Sequence, residues 1–299
     1  MHLNGPDKPQ PDKLNIEWQA LSDLGRTRRN NQDFLGVHES KEGGFSLFVV
    51  ADGMGGHAAG EVASKTAVKA VIDEFVSSSA ESDGLRLAVS IEKANTRVRD
   101  VAKSDISYQG MGTTCVALVM RRATAIIAHV GDSRAYLIRD GRIRQLTRDH
   151  SPIWDMVEKG EITKEEARSH PSRNMISRSL GIKSTVSVEL HPNPIDICSG
   201  DIFMLCSDGL TSKLDDFEIL NIVMDSVSLK DGCKKLISRA NEKGGDDNIS
   251  VILVKAISGQ GREKAGTNTF AWWLLAVITA LILVGMLLFS LGVINRNAG

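Results

Sequence analysis

The run Phe48-Val-Val-Ala-Asp-Gly-Met-Gly-Gly-His57 carries an apolar strand straight into an acid-glycine turn. Asp52 leaves the strand end with its carboxylate in a fixed place. Gly53, Gly55 and Gly56 let the backbone turn tightly and approach a ligand closely. A carboxylate beside a bare peptide carbonyl is a donor set that suits a hard divalent cation. Alone, an Asp-Gly pair after a strand is simply a turn, but this chain repeats the device. Asp33 closes Arg28-Arg-Asn-Asn-Gln-Asp33, with an arginine five positions before it. Asp132 follows the apolar run ending at Val130, and Asp208-Gly209 follows Met204-Leu-Cys-Ser207. Asp246-Asp247-Asn248 precedes Ile249-Ser-Val-Ile-Leu-Val254. Five acidic sites at strand ends can converge on one rim. Oxygen ligands without His or Cys point to Mg²⁺ or Mn²⁺ rather than zinc.

Such a rim needs strands to hold it. Short β-rich runs cover Leu47–Asp52, Thr113–Met120, Ala123–Val130, Arg134–Ile138, Arg142–Leu146, Ile202–Cys206 and Ile249–Val254. Asp140-Gly141 is a type I′ hairpin signal. Strands joined by tight turns imply antiparallel sheet and not a βαβ winding. Two helical patterns interrupt them. Glu61–Val76 sets Val62, Val68, Val71, Ile72 and Phe75 near one face, and Leu85–Val101 spaces Leu87, Ile91, Ala94 and Val98 by threes and fours. The expected class is α+β, with sheets covered by helices.

With 299 residues, 42% of them hydrophobic, the chain can bury a large core. Its 36 basic and 37 acidic side chains nearly balance. No basic patch stands out, so nucleic acid is not an expected partner. Cys115, Cys198, Cys206 and Cys233 lie far apart without CxxC pairing and read as reduced core thiols of a cytosolic domain. Residues 1–14 form a polar lead-in without a signal-peptide pattern, and 15–257 read as one domain. A Gly-rich linker, 258–269, leads to 270–294, which contain no charged residue. That run exceeds the roughly 20 apolar residues that cross a bilayer, and Trp272 and Trp273 open it like an interfacial belt. The expectation is a transmembrane helix followed by a short tail, 295–299. Lys255, Arg262 and Lys264 precede the span and only Arg296 follows it, which places the domain on the cytoplasmic side.

Six motifs in order now make a pattern: Arg28-x-x-Asn-Gln-Asp33, Val50-Ala-Asp-Gly-Met-Gly-Gly-His57, Gly112-Thr-Thr114, Gly131-Asp-Ser-Arg134, Cys206-Ser-Asp-Gly-Leu210 and Asp246-Asp-Asn248. The set resembles the bacterial metal-dependent protein phosphatases of the 2C type (the PPM family) over roughly residues 16–255. The resemblance implies a four-layer α-β-β-α sandwich with two central antiparallel sheets and a two-metal site at one end. By that resemblance Asp52 bridges two Mn²⁺ or Mg²⁺ ions, with the Gly53 carbonyl beside it. Asp208 and Asp247 are then ligands of one ion, and Asp33 an outer ligand of the other. Asp132, with Asp208, forms a third and weaker site. Arg28 holds the substrate phosphate, since a guanidinium fork matches two phosphate oxygens. Asn248 supports Asp247.

The pattern departs at Gln32, where the family often has glutamate. Glutamine removes one negative charge and cannot accept a proton, yet it can still hold a water. His57 is a candidate general acid, but the family's eukaryotic branch has its acid histidine directly after the Asp-Gly pair, where this chain has Met54. The alternative is a loop histidine capping the helix that begins near Gly60.

The segment Leu146–Gly181 resembles the family's flap, in which His150, His170, Arg173 and Asn174 are candidate phosphopeptide contacts or ordinary capping residues. The implied function is a membrane-anchored phosphatase that hydrolyses phosphoserine and phosphothreonine by a metal-activated water. It would act on phosphorylated proteins at the bacterial inner membrane and oppose a cognate Ser/Thr kinase. Alternatives are the same fold acting on a dedicated anti-sigma-type regulator, or a non-catalytic tail-anchored binding module.

Overall fold

The computed structural model describes residues 14–40, 44–56, 58–163, 166–167, 170–172 and 175–259. The strands are β1 (Ile16–Asp23), β2 (Asp33–Glu39), β3 (Phe45–Met54), β4 (Gly112–Thr113), β5 (Cys115–Arg121), β6 (Thr124–Val130), β7 (Arg134–Arg139), β8 (Arg142–Gln145), β9 (Glu189–Leu190), β10 (Ile195–Asp196), β11 (Ile202–Cys206) and β12 (Ile249–Ala256). One sheet runs β1-β12-β11-β7-β8; the other runs β10-β6-β5-β3-β2, with β4 on β3 and β9 on β6. The pairings within both are antiparallel. Asp140 and Gly141 join β7 to β8 with φ of 54° and 68°, the left-handed pair a type I′ turn needs.

The helices are α1 (Ala59–Ser77), α2 (Asp83–Ser104), α3 (Pro152–Glu158), α4 (Asp208–Thr211), α5 (Asp216–Met224) and α6 (Leu229–Glu242). Three apolar layers separate the elements. The first packs α1 and α2 on Leu47, Val49 and Ala51 of β3. The second joins the sheets through Phe48, Val50, Leu118, Leu205 and Ile252. The third packs α5 and α6 against Met204, Val251 and Leu253. Alternate residues of β3 therefore face a helix layer and the other sheet, and both faces are dry. This is an α+β fold of helices, two antiparallel sheets and helices.

Several elements differ from the sequence reading. β1, β2, α5 and α6 were not foreseen. β1 is an edge strand with a half-exposed pattern, so its alternation is faint. The expected strand Thr113–Met120 is divided at Thr114 into β4 and β5. The buried stripe of α1 is Ala59, Ala63, Ala67, Val68, Val71 and Phe75. Val62 and Ile72 are only half-buried. Small residues bring this helix close to the sheet: a Cβ on Gly36 of β2 would come within 2.3 Å of Val68. Among the described residues no helix is long and apolar enough to cross a membrane. The expected span 270–294 lies outside the described residues, as do the lead-in up to residue 13 and most of the linker.

Candidate metal centre

Both sheets deliver carboxylates to one end of the sandwich. The β2–β3 register sets Asp33 directly opposite Asp52. Asp132 follows the end of β6, Asp208 follows β11 as the first residue of α4, and Asp247 precedes β12. The main chain of Asp52 is held on three sides. Its N–H donates to Thr114 Oγ1 at 2.9 Å, while its carbonyl accepts from Thr113 Oγ1 and from the Thr114 N–H, each at 2.9 Å. This is the structural work of Gly112-Thr-Thr114.

Two glycines permit the crowding that follows. A Cβ on Gly53 would fall 2.0 Å from the Gly60 carbonyl oxygen, and one on Gly209 would fall 2.0 Å from that of Asn248. The Gly53 N–H donates to the Gln32 carbonyl at 3.0 Å.

The acids are poorly matched to one another without a cation. Asp33 is buried; its Oδ2 accepts from Ser207 Oγ at 2.7 Å, but its Oδ1 finds no donor. Asp208 Oδ1 is likewise buried without a partner. Burial first, then the neighbouring charges of Asp208 and Asp247, push Asp33 up to about 7, against the lowering bonds of Ser250 and Ser207. Asp52 is pushed well above the carboxylate range by burial, then by Asp33, Asp208 and Asp132. Asp132 and Asp208 are raised by burial and then by acidic neighbours. Oxygen atoms that lack donors and mutual repulsion are what a hard cation relieves. The donor set therefore fits Mg²⁺ or Mn²⁺.

Arg28 stands at the rim, its side chain 49% exposed, with Nη2 2.7 Å from Asp247 Oδ2. Burial lowers its pKa, but the bond and charge of Asp247 and the charges of Asp52 and Asp208 raise it overall. It therefore faces the same carboxylates.

Asn248 and His150 depart from expectation. The side chain of Asn248 does not hold the Asp247 carboxylate. Its Nδ2 donates to the carbonyls of Leu24 and Asn30, and its Oδ1 accepts from the Gln32 N–H, so it ties down the loop before Asp33. Only its main-chain N–H reaches Asp247 Oδ1, at 2.8 Å. Gln32 Nε2 donates to the Gly55 carbonyl at 3.2 Å. His150 is 4% exposed, held by Gly131 and Glu189, and cannot meet a peptide. His170 Nδ1 accepts from the Ser172 N–H. His57, Arg173 and Asn174 lie outside the described residues. The four cysteines are free; burial pushes Cys115, Cys206 and Cys233 each up to about 12, far from a nucleophile's range.

A profile of protein phosphatase 2C matches residues 26–253, over this fold and every acid named above. The chain belongs to the protein phosphatase 2C family. It is 40% identical to the serine/threonine phosphatase stp of Listeria welshimeri, over 82% of this chain and 98% of that one. The solved serine/threonine phosphatase of S. agalactiae is 38% identical and superposes with a TM-score of 0.72, covering 81% of this chain and all of the other. The catalytic domain of PstP in complex with 2 manganese ions is 31% identical with a TM-score of 0.70, over 81% of this chain and 99% of that one. Like these 2C phosphatases, the protein is a serine/threonine protein phosphatase, and its substrates are phosphoproteins.

The raised carboxylates have a measurable consequence for this 2C phosphatase. Unfolded, Asp33 ionises at about pH 3.9; in the metal-free fold, burial pushes it up to about 7. Between those values the fold binds more protons than the unfolded chain, so stability falls as pH rises. The chelated protein should therefore lose thermal stability between pH 4 and 7 through this group. Asp33→Asn should flatten that decline in melting curves across the range. A wild-type curve no steeper than the variant's would contradict the assignment.

Proposed function

We propose that the chain is a membrane-tethered bacterial phosphatase that opposes a Ser/Thr kinase. In this reading Asp33, Asp52, Gly53, Asp208 and Asp247 hold two Mn²⁺ or Mg²⁺ ions, and Asp132 beside Asp208 offers a third position. The observation that carries the reading is the pair of buried carboxylate oxygens without donors, Asp33 Oδ1 and Asp208 Oδ1, inside a cluster of raised acids. Two bound divalent ions would supply water that ionises near pH ~7 instead of 15.7.

The chain's own residues do the rest. Asp52, fixed by Thr113 and Thr114, keeps its carboxylate central in the cluster. Ser207 holds Asp33 by one oxygen and leaves the other without a donor. Arg28 uses one of five guanidinium donors on Asp247, which leaves a fork able to take phosphate oxygens in the ground state and as charge develops. The buried, protonated thiols favour direct attack by water over a cysteinyl intermediate.

The tether is inferred from the uncharged run 270–294, and the orientation from Lys255, Arg262 and Lys264 before it. The phosphatase domain then faces the cytoplasm, where kinases and their products are found.

Three outcomes check this reading. Asp52→Asn should abolish hydrolysis of a phosphothreonine peptide while leaving the circular dichroism spectrum unchanged, because it removes charge and not packing. Near-normal turnover in Mn²⁺ would remove Asp52 from the site. Arg28→Ala should raise KM about tenfold, with a smaller change in kcat, since it deletes a contact made before and during attack. Unchanged steady-state constants would dismiss Arg28. Protease added to intact spheroplasts should leave residues 15–257 undigested, whereas cleavage of that domain from outside would reverse the topology.

A further inference from the structure

Asp132 lies on a loop whose geometry is set by a histidine far along the chain. The Gly131 N–H donates to His150 Nδ1 at 3.1 Å, and the His150 N–H donates back to the Gly131 carbonyl at 3.0 Å. Because Nδ1 accepts from a main-chain donor, the ring proton of neutral His150 is on Nε2. Nε2 faces Glu189 Oε2 at 3.0 Å. Burial pushes His150 down to about 4, so the neutral ring is the working form near neutral pH.

The other side of Gly131 is equally confined. Its φ is 106°, and a Cβ there would sit 2.7 Å from the Thr114 side chain. Thr114 Oγ1 in turn is bonded to Ser133 Oγ at 2.7 Å and to the Asp52 N–H at 2.9 Å. Next door, Arg134 grips Asp149 through Nε and Nη2. Residues 131–134 and 149–150 are thus laced together. The contact between His150 and Glu189 joins the two ends of one segment: His150 precedes α3, and Glu189 begins β9.

His129, His150 and Glu189 bring three ligand-type atoms within 4.8 Å of one another. A metal is not their occupant. The imidazoles stack at 4.6 Å and 19°, so their in-plane lone pairs run side by side instead of converging. His129 Nε2 is engaged with the Arg148 carbonyl at 2.6 Å. Arg178 Nη1, 3.2 Å from His150 Nε2 and 3.8 Å from Glu189 Oε2, already supplies positive charge there. The trio is a support.

We propose that His150, oriented by Glu189, is a positioning residue that fixes the Gly131 peptide and so presents the Asp132 carboxylate to the cation site. The inference rests on the reading of Asp132 as a ligand. Through it, the base of the segment between α3 and β9 is joined to the weakest metal position.

Two near-isosteric variants of the full chain separate this role from simple packing. In His150→Asn the amide oxygen takes the place of Nδ1 and still accepts from Gly131. In His150→Gln the amide reaches toward Glu189 and leaves the Gly131 N–H without its acceptor. Calorimetric titration of Mn²⁺ into metal-free protein should show His150→Asn within about threefold of the unaltered protein for the weakest binding step. His150→Gln should be about tenfold weaker, as supporting partners of metal ligands commonly are. In an Asp132→Asn background the two should be equal, because the group through which His150 acts is gone. Equal affinities of the two His150 variants in protein that keeps Asp132 overturn the proposal, and so does a His150→Gln loss that persists after Asp132→Asn. If Asp132→Asn alone binds Mn²⁺ normally, the reading of Asp132 as a ligand falls first and takes this inference with it.

Discussion

Like charges gather in a protein only where other forces hold them. Asp33, Asp52, Asp132 and Asp208 crowd one end of the sandwich, and burial together with mutual repulsion raises all four above their ordinary range. Much of the surrounding architecture serves to withstand that repulsion. Asp33 and Asp52 are locked opposite each other by a seven-residue strand register. Asp208 and Asp247 belong to the other sheet, joined to the first by a dry layer centred on Phe48, Val50, Leu205 and Ile252. A site shared by two sheets cannot open without parting that layer.

The polar supports are as specific as the apolar ones. Thr113 and Thr114 hold the main chain of Asp52, Ser207 holds Asp33, and Asn248 holds the loop through Asn30 and Gln32. None of these side chains supplies negative charge to the cluster. Each spends its hydrogen bonds on geometry, and the acids are left with oxygens that protein donors do not fill. Cation binding and fold stability are therefore linked. Any ion that binds the folded rim and not the unfolded chain stabilises the whole domain.

Asp52, Asp132 and Asp208 are legible in the sequence because each follows an apolar run, where a strand must stop and a turn begin, whereas Asp33 opens β2 and Asp247 precedes β12. The hairpin at Asp140-Gly141 and the pair α1 and α2 were legible for similar reasons of local pattern. β1 was not: an edge strand with solvent on one side has weak alternation, and its pairing to β12 spans more than 220 residues of sequence. The side-chain role of Asn248 is not legible, because its reach, to Leu24 and Asn30, depends on tertiary placement. His150 looked like a surface contact because Asp149-His150-Ser151 is polar in sequence, although packing buries all three. Local chemistry announces which residues can act; long-range pairing decides which of them meet.

Bound cations should relieve the repulsion among the strand-end carboxylates. Anomalous diffraction at the manganese edge, from crystals of the protein grown with Mn²⁺, locates them. Peaks should touch Asp52 and Asp208, with Asp33 and Asp247 around them, and none should lie between His129, His150 and Glu189. Peaks confined to the histidine trio, or a carboxylate cluster empty in saturating Mn²⁺, would contradict it.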